Sequence, residues 1–311
     1  MMNKKIILLL LPFLLSVKSF TQEKLLITGI KITQSAVIKK QLYKLDAPLK
    51  MEEAAIVIEG NNITIDFNNA VLNGSNAKKN PDEFFGVAIL IKGGKNITIK
   101  NLKAKGYKVA LMAREVTNLT IENCDLSYNY RQHLNSTQEK EDISDWMSYH
   151  QNEKDEWLRY GAGIYLSNCV FAVVKNSRIT GGQNALMMKD CINGKIYNND
   201  FSFNSGIGIG MYRCSNNTVA YNRINFNVRG YSHGIYNRGQ DSAGILVYEQ
   251  SNGNYFYKNS ATHSGDGFFL WAGQTTMDSG KGGCNDNVLV GNDLCHEIFL
   301  ATANIDNHTA G

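Results

Sequence analysis

The chain has 311 residues, a formal net charge of +4 and 43% apolar residues. Acids and bases are interspersed, which excludes the one-signed stripe of a nucleic-acid binder and the polybasic patch of a membrane-surface protein. Three prolines against 28 glycines suit a chain of short strands and turns.

Lys4 and Lys5 precede the apolar run Ile6 to Leu15, and Ser16-Val17-Lys18-Ser19 follows it. A basic start, an apolar run too short to span a bilayer and small residues behind it predict a signal peptide over 1–19. The chain is therefore expected to be secreted or periplasmic, with no membrane span. Residues 20–60 are expected to lead into or cap the folded part. Within them, Glu52 to Gly60 would cover or begin the first coil and so protect an open strand edge.

From Asn61 onward the chain repeats itself. Ile97 to Asn101, Leu119 to Asn123, Val173 to Asn176, Ile196 to Asn199, Val219 to Asn222, Phe256 to Asn259 and Leu289 to Asn292 are short β-branched, apolar or aromatic runs ending in Asn. The spacing is 22 from Ile99 to Ile121, 22 from Val174 to Ile196 and 23 from Ile196 to Val219. The gaps of 53, 37 and 33 that break the rule each read as one coil plus an insertion. A fixed period of this size means stacked supersecondary units. So short a coil leaves no room for a helix in each repeat, and the leucine-rich pattern is missing. Short strands joined by Asn- and Gly-rich turns predict an all-β, right-handed parallel β-helix of about eight coils over 61–311. Asn tolerates the left-handed backbone that such turns require. Like residues then stack roughly 4.8 Å apart. Asn123 and Asn176 are expected to begin an Asn ladder that continues through Asn198 or Asn199, Asn222, Asn259 and Asn292.

Six cysteines in an exported chain raise the question of disulfides. Cys169, Cys191 and Cys214, however, occupy the same place in consecutive coils. They read as a stack of small buried side chains, with disulfides or a metal held by the sulfurs as the lesser alternatives.

Three insertions interrupt the coils. In the first, about 130–160, Ser136-Thr137-Gln138-Glu139 has the form of a capping box. Ile143, Trp146, Met147, His150 and Trp157 follow at helical spacing. A helix or helical hairpin on the solenoid's flank is expected, as a buttress or as the wall of a groove. The second insertion, 227–243, is rich in ionisable side chains. The third, 272–287, reads as a flexible Gly-rich loop. After Asn292 the pattern fades, so either the last coil ends open or the chain is part of a longer solenoid.

The strands Gly163 to Leu166, Ala185 to Met188, Gly208 to Met211, Gly244 to Val247 and Gly267 to Leu270 align with one another. Their flanks collect ionisable and aromatic side chains on one face. For substrate binding the alignment selects Tyr160, Lys189, Arg213, Arg229, Tyr231, Tyr236, Tyr248, Glu249 and Trp271. Aromatic rings stack on sugars, and Arg or Lys pair with acidic ones. For catalysis it selects His263 and Asp266 as an acid/base pair, with Asp241, His233 and Arg238 nearby. Histidine titrates near neutrality, and a carboxylate orients it. Either Arg213, Arg229 or Arg238 would neutralise charge developing on a uronate carboxylate. No cofactor is indicated, and no calcium site is recognisable.

The repeats, such as Asn96-Ile97-Thr98-Ile99-Lys100-Asn101, resemble the right-handed β-helix superfamily of carbohydrate-active proteins over about 61–300. That superfamily includes pectate-lyase-like enzymes, alginate epimerases and periplasmic NosD-type repeat proteins. The resemblance implies an exported monomer acting on a polysaccharide or oligosaccharide, anionic or neutral, as a lyase, epimerase or glycoside hydrolase. The alternative is a non-catalytic glycan-binding or NosD-like accessory solenoid. The Asp-Pro-His-Asp, Asn-Thr-Asp and Gly-His-Gly motifs of the enzyme families are absent, so the site residues rest on stacking alone.

Overall fold

The computed structural model describes residues 23–75, 79–137, 140, 142–147, 151–229 and 242–296. Residues 1–19 and 230–241 lie outside that set. The chain winds as a parallel β-helix. Two of its sheets have nine strands each, and the third has three. The first sheet runs from Ile30–Ile32 to Asp266–Trp271, and the second from Ala36–Val37 to Val288–Val290. The third comprises Leu42–Lys44, Val71–Asn73 and Lys103–Lys105. It continues upward as single parallel bridges from Asp125 through Arg178, Asp200, Arg223 and Ser260 to Asp293.

Among the described residues the two long sheets have nine rungs, and winding is already under way at Ile30, ahead of the regular repeat near Asn61. Ile30 pairs with Ile56 and Ile32 with Ile58, so the expected cap is itself the first rung. It lacks the Asn-terminated run that marks later rungs, which is why the period did not show it.

The inward column of the second sheet is Ile65, Ile99, Ile121, Val174, Ile196, Val219 and Phe256 in register. All seven are fully buried. Cys169, Cys191 and Cys214 are buried free thiols, and the Cys191 amide donates to Cys214 Sγ at 3.4 Å.

The Asn ladder forms, but from different residues at its start. Asn222 Nδ2 donates to Ile196 O and Asn259 Oδ1, both at 2.9 Å. Its Oδ1 accepts from the amide and side chain of Asn199 at 3.1 and 3.0 Å. Asn259 repeats the pattern on Asn292, and below Asn199 the ladder starts at Ser177. Asn123, Asn176 and Asn198 stand one position earlier, at φ 55°, 51° and 56°. The corner needs two residues with different tasks: one adopts the left-handed turn, and the next supplies the amide. A second ladder joins Asn217, Asn254 and Asn287 at another corner.

The first insertion is not the helix its spacing predicts. Its described residues hold only the 3-10 turns Ile143–Asp145 and Glu156–Tyr160. Asp145 accepts from Gln132 Nε2, the amides of Asn135 and Ser136, and Ser136 Oγ. The Ser136 hydroxyl expected to cap a helix is thus used to fold the segment back on itself. Glu139 and His150 lie outside the described residues. The third insertion, expected as a loop, contains the short helix Gln274–Ser279, closed by Gly280 at φ 66°.

Replacing Asn222 by Ala strands buried partners on two rungs and should cost roughly 2–4 kcal/mol. Asn198→Gly keeps the turn and should stay within about 0.5 kcal/mol. Urea denaturation of both variants checks the pair; equal losses would mean that the side-chain amides do not hold the corner.

Candidate active site on the first sheet

Of the residues singled out for function, Lys189, Tyr248 and Trp271 share one column on the outward face of the first sheet, and Tyr212, not Arg213, fills the rung between Lys189 and Tyr248. Ser167, Lys189, Tyr212, Tyr248 and Trp271 stack along its trailing edge. Ala162 stacks along its leading edge, as do Ile207, Ala243 and Asp266 higher up. The face is not an open groove over most of its length, because the first insertion lies on it. Trp157 packs edge-on against Tyr212 and Tyr248, at 5.4 and 5.7 Å between ring centres. Together with Met147, Tyr160, Tyr165, Met187 and Leu246 they form a second apolar core outside the helix.

Five residues expected to line a groove are therefore buried: Tyr160, Lys189, Arg229, Tyr248 and Glu249. Tyr160 Oη donates to Ser144 O at 2.9 Å, inside the insertion. Stacking arithmetic finds a column but cannot show that a long insertion folds back over it. Arg213 and Trp271 remain half-exposed. Tyr231, Tyr236, His233, Arg238 and Asp241 lie outside the described residues.

An ionic clamp fastens the insertion along the trailing edge. Asp155 accepts from Arg114 Nη1 at 2.7 Å, from Tyr165 Oη at 2.9 Å and from Lys189 Nζ at 3.2 Å. Lys189 also donates to Glu153 O at 2.6 Å, and Arg213 reaches Glu153 Oε1 at 2.7 Å. Burial works to raise the Asp155 carboxyl. The Arg114 hydrogen bond and charge, the Tyr165 hydroxyl and the Lys189 charge outweigh it, and hold the carboxyl below the ordinary range. Arg114 lay within reach of the same alignment, since it pairs with Ser167 one strand earlier. Asn152, Glu153 and Asp155 carry no repeat signal, being part of the insertion.

Beyond the clamp, polar groups on adjacent rungs are left short of partners. Glu249 is fully buried, and neither carboxylate oxygen takes a hydrogen bond among the described residues. Its nearest cation, Arg213 Nη2, is 3.7 Å away. Gly273 presses against it at φ 84°, where a Cβ would come within 1.7 Å of Glu249 Oε2. Arg213 Nε and Tyr212 Oη beside it also lack partners among the described residues. Unsatisfied buried polar atoms are few in folded proteins.

His263 and Asp266 are not joined by a hydrogen bond or ion pair among the described residues. His263 sits exposed at φ 55° on the outer corner, in a ring stack between Phe226 at 4.7 Å and His296 at 5.0 Å. Its Nδ1 contacts Thr262 Oγ1 at 3.0 Å. Asp266 opens the strand Asp266–Trp271, and burial alone raises its carboxyl to about 6. Lower on the helix, burial lowers Lys108 to about 7, with its Nζ 3.2 Å from the Tyr130 ring centre. Nothing in the repeat marks that lysine. Among the described residues no three His, Cys, Asp or Glu side chains are grouped to hold a metal.

Residues 148–285 match the family model for the right handed beta helix region. Among solved structures, DFA-IIIase from Arthrobacter chlorophenolicus A6 in complex with GF2 is similar at a TM-score of 0.52 and 9% identity. The match covers 84% of this chain and spans 66% of that one. The same protein without its lid gives 0.46 at 8% identity, over 86% and 77% of the two chains. The periplasmic alginate epimerase AlgG gives 0.38 at 14% identity, over 87% and 76%. The likeness is one of fold, a right-handed parallel β-helix. No curated protein matches the chain in sequence.

The depressed Asp155 carboxyl fixes the sign of the clamp's pH response. Its contribution is complete above the unfolded value of about 3.9 and is lost as pH falls through the lower folded value. The near-UV circular dichroism of Trp157 should therefore weaken below about pH 4. Asp155→Asn should show the weakened signal already at pH 7. An unchanged spectrum in the variant would mean that the aromatic core holds the insertion alone.

Proposed function

We propose that the chain is an exported carbohydrate-active enzyme performing acid/base chemistry on a glycan laid across the upper rungs of the first sheet. The observation that carries this reading is the Asp266 carboxyl, raised to about 6 on the same strand as half-buried Phe269 and Trp271. A carboxyl protonated near neutrality is suited to donate a proton to a leaving oxygen. Asp266 and Trp271 stand at opposite ends of a six-residue strand, roughly 17 Å apart. That span admits several sugar residues. Trp271 offers a ring for stacking, and the half-exposed Arg213 guanidinium offers a charge beside it. His263, one corner away, and Asp241, His233 and Arg238, which precede the neighbouring strand in the chain, complete the proposed set. The basic, then apolar, start of the sequence supports export.

The rival reading is a solenoid that binds glycan without turning it over. The insertion favours it in one respect: it covers most of the face that a groove would use. Turnover separates the two readings.

Asp266→Asn should lower turnover at least about 100-fold, the usual weight of a general acid. The assay is reducing-sugar release and ultraviolet absorbance of unsaturated products over a panel of anionic and neutral glycans. Wild-type activity should fall as pH rises through about 6. A raised carboxyl also means that stability drops as pH climbs from about 4 to about 6 and then levels off. The Asn variant should therefore be at least as stable as wild type at pH 8. Full activity in the variant would remove Asp266 from the site. Binding without turnover on every glycan would favour the rival.

A further inference from the structure

A cavity lies on a different part of the helix. It lies where the lowest rungs of the third sheet turn back toward the first. Its volume is about 410 Å³, and its lining includes Asn73, Ser75, Phe84, Lys105, Tyr128 and Arg131. Cavities of about 300–1,000 Å³ are the usual size for small ligands.

Three successive rungs build one wall. Asn73 ends Val71–Asn73, Lys105 ends Lys103–Lys105, and Tyr128 occupies the next rung. On the opposite side stand Pro81 and Phe84, with hydrogen bonds among the described residues around them. The Asn80 amide donates to Glu83 Oε2 at 2.8 Å, and the Phe85 amide donates to Ser75 Oγ at 3.3 Å. The Arg131 amide donates to Pro81 O at 3.2 Å and ties this side to the rungs.

Its chemistry is uneven in a way that selects a ligand. Lys105 and Arg131 line it, and no carboxylate does. Arg131 Nε is shut off from water and takes no hydrogen-bond partner among the described residues. Leaving a buried donor unmade is costly unless something else accepts from it. Tyr128 is 59% exposed, and its φ of 59° is the corner conformation shared by Phe203, Phe226 and His263 on higher rungs. Its ring lies over Gly181, where a Cβ would come within 2.8 Å of it. An exposed ring beside two cations and two small polar groups matches a sugar ring that carries an acid.

We propose that this cavity binds the carboxylate-bearing ring of a uronic acid, either free or within a chain. Arg131 and Lys105 take the carboxylate, Tyr128 and Phe84 flank the ring, and Asn73 and Ser75 meet its hydroxyls. The site does not depend on Asp266 or on the chemistry proposed for the upper rungs.

Titration calorimetry with glucuronate, galacturonate and an oligogalacturonate tests this. The controls are glucose, acetate and sulfate. Wild type should bind at least one uronate, and not glucose. A gain on going from the monomer to the oligomer would show that the ring is bound within a chain; equal affinity would show a single-ring site. Arg131→Gln and Tyr128→Asn should each weaken binding at least tenfold. Asparagine accepts positive φ, so Tyr128→Asn should keep or raise thermal stability and its loss of binding cannot be ascribed to unfolding. Asp266→Asn should leave uronate binding unchanged, whatever it does to turnover. No uronate binding at millimolar concentration would overturn the proposal. So would acetate or sulfate binding as tightly as the uronates, or affinity unaltered in Tyr128→Asn.

Discussion

The structure depends on one requirement: successive rungs must stay in register at corners where the backbone leaves its sheet. Along the strands the parallel ladder satisfies the peptide groups. At the corners it cannot, because the chain turns and carbonyls point inward without a strand to meet them. Asn199, Asn222 and Asn259 solve this with one side chain per rung, each amide reaching a carbonyl below and the next Asn above, while Asn292 donates to Phe256 O. Such groups are expensive to bury unpaired, so the ladder sets where the chain can turn. The residue before each ladder Asn must then take positive φ, as Asn198, Tyr221, Lys258 and Gly291 do.

With the corners fixed, everything else on the molecule is an excursion from them. The sheet faces cannot lengthen, so added chain emerges at the turns and must find something to cover. The first insertion does so with Trp157 against Tyr212 and Tyr248, and neutralises the sheet's edge with Asp155 between Arg114 and Lys189. Lys189, Tyr160 and Tyr248 have the residue types of a sugar groove but are buried against the insertion. What stays available for chemistry is the part of the face that the insertion does not reach, together with the low cavity around Arg131.

The repeat made the second sheet, its buried column and the stack of Cys169, Cys191 and Cys214 legible, because in a solenoid sequence neighbours one period apart are spatial neighbours. The same rule aligned the first-sheet strands correctly from Gly163 to Leu270. It was silent on the first rung, whose Ile30–Ile32 carries no Asn marker. It also misled in the insertion, where helical spacing of Ile143, Trp146 and Met147 was outweighed by Asp145 gathering hydrogen bonds from both sides of a reversal.

The sequence by itself determined the coil, its period, its register and the residues that share a face, since each follows from local turn chemistry repeated at a constant interval. Only the tertiary structure decided which of those residues are reachable. Burial of Lys189 and Glu249, the raised carboxyl of Asp266 and the cavity beside Arg131 all arise from segments distant in the chain closing over one another, and no local pattern encodes that contact.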